Sequence, residues 1–147
     1  MKLISHRGNL TGPNPERENH PDYIHEAILA GYDVEIDVWF VDGKFKLGHD
    51  APTYDFPLGL LETNHNKFWI HCKDMASLSQ LNEIDSMGSK LNYFSHENDL
   101  GVLTSRGYIW STHPYKRGIL VMPEFFGSDP TEDTLGICSD YITNYKL

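Results

Sequence analysis

The stretch Asp33-Val34-Glu35-Ile36-Asp37-Val38-Trp39-Phe40-Val41-Asp42-Gly43-Lys44-Phe45-Lys46-Leu47-Gly48-His49-Asp50 decides how this chain is read. Val34 to Phe40 has the β-branched and aromatic content of a strand. Asp42-Gly43 is a tight hairpin turn, and Lys44 to Gly48 is a returning strand. Side chains on a strand alternate faces with a period of two. Glu35 and Asp37 therefore share one face, while Val34, Ile36 and Val38 share the other. A second strand, Phe68 to Lys73, divides the same way, with Trp69, His71 and Lys73 on one side and Phe68, Ile70 and Cys72 on the other. The returning strand ends in Gly48-His49-Asp50, and the first strand, Lys2 to Ser5, runs into His6-Arg7-Gly8. Taken singly, each such group reads equally well as a solvated strand end. Four successive strands with ionisable C-terminal ends match the place where parallel-barrel enzymes collect their chemistry.

The flanking segments extend this pattern. Residues 9–20 are a polar loop of turn formers, and Pro21-Asp22 opens a helix that Gly31 closes. Residues 51–66 read mostly as loop, with a short turn around Leu58 to Leu61. Asp74 caps a helix to about Ile84, with Met75, Leu78, Leu81 and Ile84 as its apolar face. Four short apolar runs follow, at 93–95, 108–110, 119–122 and 137–142, with little room for helices between them. No repeat or linker divides the chain, so residues 1–147 are expected to form one domain. The expected fold is α/β: a compact, reduced TIM-type (β/α) barrel with several outer helices shortened or missing.

Composition narrows the functional classes. Twelve Lys and Arg stand against 21 Asp and Glu, for a net charge of −9. A phosphate backbone would be repelled, which excludes broad nucleic-acid binding but not one small phosphate ester in a locally basic pocket. No apolar run approaches the roughly 18–20 residues that cross a bilayer, so no stable membrane insertion is expected. The N-terminus turns polar after two apolar residues, unlike a signal peptide. Cys72 and Cys138 are too few for a disulfide scaffold and are expected to stay reduced and packed, in keeping with a cytoplasmic location.

The clustered groups suggest a chemistry. Two carboxylates two residues apart on a strand supply hard oxygen ligands for Mg²⁺ or Ca²⁺. Two His from different strands can act as base and acid on opposite sides of a phosphorus atom. Arg7 and Lys73 can balance charge on the phosphate oxygens. Together these parts describe phosphodiester cleavage, with a cation needed to offset the acidic pair.

His6-Arg7-Gly8, Glu18-Asn19 before a helix, Glu35-Ile36-Asp37, Asp42-Gly43 and His49-Asp50, in this order, resemble the glycerophosphodiester phosphodiesterase family, within the phosphatidylinositol-phospholipase-C-like barrels. The likeness is strong over residues 3–50. It thins through Ile70-His71-Cys72-Lys73, Tyr93-Phe94-Ser95-His96 and Gly136 to Tyr141. The resemblance implies His6 as general base, His49 as general acid, Glu35 and Asp37 as metal ligands, and Arg7 and Lys73 as phosphate contacts. His71 stands where the family has a metal-binding Glu. An imidazole there favours Mn²⁺ or Zn²⁺ over Mg²⁺ or Ca²⁺ if it is a ligand, and the alternative is that it only hydrogen-bonds beside the metal.

Several residues are weighed alongside. Glu18 reads as an organiser of the loop near Arg7, and Asp50 as an orienter of His49. His96, Glu124 and Trp110 follow late strands and are candidates for the same mouth. The implied activity is hydrolysis of a small phosphodiester such as a glycerophosphodiester. The alternatives are a phospholipase-D-like lyase that forms a cyclic phosphate, and an inactive barrel that binds a phosphorylated metabolite. Missing helices would expose outer strand faces, which a second copy of the chain would cover.

Overall fold

A computed structural model describes residues 1–88 and 90–146. Its strands, among these residues, are β1 (Lys2–His6), β2 (Asp33–Val41), β3 (Lys44–Leu47), β4 (Tyr54–Asp55), β5 (Phe68–Cys72), β6 (Tyr93–Phe94), β7 (Gly101–Leu103), β8 (Ile109–Ser111), β9 (Gly118–Val121) and β10 (Gly136–Ser139). The helices are α1 (Pro21–Leu29), α2 (Leu58–Thr63), α3 (Met75–Ser86) and the single turn α4 (Pro123–Phe126).

The two halves of β2 pair differently. Its first half is parallel to β1 on one side and to β5 on the other, whereas Val38 to Val41 pairs antiparallel with β3. The turn between β2 and β3 has φ of 52° at Asp42 and 75° at Gly43, the two positive values that an Asp-Gly hairpin turn requires. One path of eight strands runs β4-β3-β2-β1-β10-β9-β8-β7, and β5 with β6 branches from β2. The sheet curls into a half-barrel whose concave face carries the ends of β1, β2 and β5.

This arrangement overturns the expected TIM-type barrel. Strands dominate, the four helices are short, and β3, β4 and β7 pair antiparallel instead of continuing a parallel series. Chain length between strands explains the difference. The parallel neighbours β8 and β9 are joined by residues 112–117 alone, and the longer link from β9 to β10 holds only the turn α4. Neither link contains the crossover helix that normally spans parallel strands.

Where helices do form, the sequence supplies their ends. His20 Nδ1 accepts a hydrogen bond from the Asp22 N–H at 3.1 Å, ahead of Pro21, and opens α1. Asp74 accepts from the Ser77 N–H at 2.8 Å and caps α3. Ile24 and Ala27 of α1 and Leu81 of α3 pack on Val34, Ile36, Val38, Phe68 and Ile70. Each large apolar side chain fully buried there contributes about 1.5–3 kcal/mol. Met75 is exposed, so the inward stripe of α3 is Leu78, Leu81 and Ile84.

The opposite, concave face has its own core of Ile4, Trp69, Phe94, Trp110, Ile119 and Cys138. Trp69 and His71 therefore face inward and Phe68, Ile70 and Cys72 outward, as the alternation predicts. Leu120, Ile137 and Ile142 are also buried, so the outer face of β9 and β10 is not left bare where helices are absent. No helix among the described residues is long and apolar enough to cross a membrane.

Candidate functional site

Strand ends and the turns after them build the site. At the end of β1 the backbone enters the left-handed region at Arg7 (φ 56°) and Gly8 (φ 94°). The Arg7 N–H donates to the Glu35 carbonyl at 2.9 Å, which seats the turn on β2. Asn19, also left-handed at φ 65°, clamps Asp37 twice. Its Nδ2 donates to Asp37 Oδ2, and its Oδ1 accepts from the Asp37 N–H, both at 2.9 Å. Arg7 Nε lies 3.0 Å from Asp37 Oδ2, and Nη1 lies 3.4 Å from Glu18 Oε1. Glu18 thus organises the Arg7 loop, as expected from the sequence.

Asp37 is wholly buried and also pairs with His71, whose Nδ1 lies 3.0 Å from Asp37 Oδ1. Burial alone would raise the Asp37 pKa. The His71 hydrogen bond and the Arg7 charge outweigh it and hold the carboxyl well below its ordinary range. Glu35 is in the opposite condition. Burial, with the charge of Asp37 added, raises its pKa from 4.5 to about 7. Its Oε2 is buried without a hydrogen-bond partner among the described residues and lies 3.7 Å from His6 Nε2. Glu35, Asp37 and His71 each offer a ligand atom within 4.8 Å of the others, and together they could hold a metal ion. An orphaned carboxylate oxygen beside two further donors is the fit such an ion needs.

His6 turns its other nitrogen to a residue the sequence reading passed over. Its Nδ1 lies 2.7 Å from Asp140 Oδ1, which also accepts from Asn9 Nδ2 at 2.8 Å. Asn9 is held in turn by the Tyr23 hydroxyl, which donates to its Oδ1 at 3.1 Å. Burial would lower the His6 pKa, but the Asp140 hydrogen bond and the Glu35 charge prevail and raise it. The available signal for Asp140 was its place directly after the last strand, matching His6 after β1.

A cavity of about 180 Å³ opens over these groups. His6, Arg7, Glu35, His49, His71 and His96 line it, together with Asp99, Ser111 and Thr112 and the apolar side chains of Leu100, Val102, Trp110, Val121 and Phe126. His49 reaches it from the loop after β3, with Nδ1 2.7 Å from Asp50 Oδ1, so Asp50 orients it as expected. Gly48 (φ 152°) makes that loop possible, since a Cβ there would fall 2.0 Å from the Ala51 carbonyl oxygen.

No protein-family model, curated protein or solved structure matches this chain. The site is therefore read from its own residues. Of the sequence candidates, His6, Arg7, Glu35, His49 and His71 line the one cavity, and Asp37 lies beneath it. His96 joins the lining, its ring stacked on His71 at 4.3 Å. Lys73 does not line the cavity, because the chain turns at that point into the cap of α3. Glu124 does not line it either. It accepts from Ser139 Oγ at 2.9 Å and from the Asp140 N–H at 3.0 Å, and so braces Asp140 from behind. Cys72 and Cys138 are buried free thiols, the first pushed up to about 12 by burial.

Proposed function

We propose that this chain is a metal-dependent phosphodiesterase. The observation that carries the reading is the convergence of two carboxylate-held imidazoles, Arg7 and an unpartnered buried carboxylate on one small cavity. Each imidazole has its Nδ1 engaged by an Asp, which leaves Nε2 for a reacting group. His6 takes the proton of the attacking water, and His49 gives a proton to the departing alcohol oxygen as the phosphorus–oxygen bond breaks. Asp140 holds His6 in the required orientation and steadies its positive charge after proton transfer. Arg7, fixed by Asp37 and Glu18, places a permanent positive charge against the phosphate oxygens.

Glu35, Asp37 and His71 would hold the cation. Two carboxylates favour Mg²⁺, Ca²⁺ or Mn²⁺, and the imidazole shifts the preference toward Mn²⁺ or Zn²⁺. A bound divalent ion supplies the positive charge that offsets this acidic pair and draws in an anionic ester.

The apolar part of the lining, with Phe126 half exposed, supports a diester in which one alcohol carries an apolar group. The test is hydrolysis of bis(p-nitrophenyl) phosphate with Mg²⁺, Ca²⁺, Mn²⁺ or Zn²⁺, each against EDTA. Release of p-nitrophenol should require a cation and fall about a hundredfold or more in His6→Ala and in His49→Ala. No release with any cation, or unchanged rates in both variants, would sink the reading. Faster cleavage of lysophosphatidylcholine than of glycerophosphocholine would support the apolar alcohol.

A further inference from the structure

A second cavity, of about 290 Å³, opens at the other end of the strands. Lys2 at the start of β1, Asp33 at the start of β2, Trp69 on β5, Asn92 just before β6 and Tyr108 just before β8 all line it. The aromatic core of Trp69, Phe94 and Trp110 separates it from the candidate active site. Its charge runs against that of the whole chain. Lys2, Lys90 and Arg106 line it, and Lys67 reaches Asp33 Oδ1 at 3.4 Å from beside it. Four of the 12 Lys and Arg are thus gathered around one acid, in a protein of net charge −9.

That one acid is already committed. Asp33 Oδ2 accepts from the Trp69 indole N–H at 3.1 Å and lies 4.0 Å from Lys2 Nζ, while Lys67 holds its other oxygen. The Lys2 ammonium stands 5.9 Å from the ring centres of both Trp69 and Tyr108. Lys90 and Arg106 are exposed at the rim and have no ion-pair partner among the described residues. Asn92 adds an independent sign of a ligand. It is 9% exposed, and its Oδ1 is buried with no hydrogen-bond donor among the described residues.

We propose that this cavity binds a small phosphate monoester that also carries hydroxyl groups. Three cations lining one cavity suit a group that carries about −1.5 to −2 at neutral pH better than they suit a single carboxylate. A ligand hydroxyl provides the donor that Asn92 Oδ1 lacks once the amide turns that oxygen toward the cavity. The volume suits a phosphate with a short polyol and not a nucleic acid strand. This inference does not depend on the phosphodiesterase reading.

The three Trp residues allow a direct test. Trp69 lines the lower cavity, Trp110 lines the upper one, and the Trp39 indole donates to the Gly48 carbonyl beside His49. Their indole N–H resonances in a ¹H–¹⁵N spectrum of the whole protein report the two ends separately. Glycerol 3-phosphate, titrated in the presence of EDTA, should move the Trp69 signal and leave Trp110 and Trp39 in place. Arg106→Ala should weaken that binding about fivefold to tenfold, while Arg7→Ala should not change it. The proposal is overturned if Trp69 does not move at about 10 mM ligand, a level that would leave an affinity too weak for a site. It is also overturned if Trp110 and Trp39 move instead, or if Arg7→Ala alone abolishes binding. Equal binding of inorganic sulfate would reduce the site to a general anion contact and would overturn the monoester assignment.

Discussion

Replacing Glu35 by Gln removes a charge from the driest part of the candidate active site and keeps the shape of the side chain. With no cation bound, burial and the Asp37 charge raise the Glu35 pKa from 4.5 to about 7. The folded state therefore keeps a proton that the unfolded chain has already lost. The associated stability is fully present below pH 4.5 and is lost as the pH rises to about 7, beyond which the curve is flat. Each pH unit within that window is worth about 1.4 kcal/mol, so the wild type should lose about 3 kcal/mol between pH 5 and pH 8 through this group. Gln does not titrate. In EDTA, Glu35→Gln should therefore gain about 3 kcal/mol on the wild type over the same interval, a shift of about 1.5 M in urea midpoint for a slope of about 2 kcal/mol/M. The assay is urea unfolding of both proteins at the two pH values, followed by far-ultraviolet circular dichroism. Saturating Mn²⁺ should then stabilise the wild type at pH 8 and leave the Gln variant nearly unmoved, since a cation favours the carboxylate. A midpoint difference that is the same at pH 5 and pH 8 in EDTA would refute the buried, unpaired carboxylate at Glu35.

Three further outcomes follow from the same geometry. Asp140→Asn should lower turnover of the phosphodiester about tenfold or more. It should also move the acidic limb of the pH–rate profile to lower pH, because the Asp140 hydrogen bond raises the His6 pKa. An unchanged profile would mean that Asp140 only supports the fold. Gly48→Ala brings a Cβ to 2.0 Å from the Ala51 carbonyl oxygen at a φ of 152°, and should cost about 2–3 kcal/mol in thermal unfolding or displace His49 and abolish activity. Cys72 and Cys138, both buried and with raised pKa values, should resist Ellman's reagent in the native protein and react fully in denaturant.

The local features of the backbone were legible in the sequence. The alternation in Val34 to Val38 placed Glu35 and Asp37 together, Asp42-Gly43 marked the turn, and Asp74 marked the start of α3, because each depends on neighbours a few residues away. The closing of β1 onto β10 is a different matter. It brings His6 to Asp140, 134 residues along the chain, and nothing local in either segment specifies that meeting. The strand β7 and the antiparallel ending of the sheet also depend on how distant strands pair.

Periodicity states which side chains share a face, since the backbone repeat alone sets it. Which faces meet, how far the sheet curls and where a cavity remains follow from packing the whole chain at once. For this protein the sequence by itself determined the acidic pair, the imidazoles and the turns that carry them. The tertiary structure alone decided that Asp140 orients His6, that apolar side chains from the late strands line the cavity with the imidazoles, and that the sheet ends in antiparallel strands in place of a closed parallel barrel.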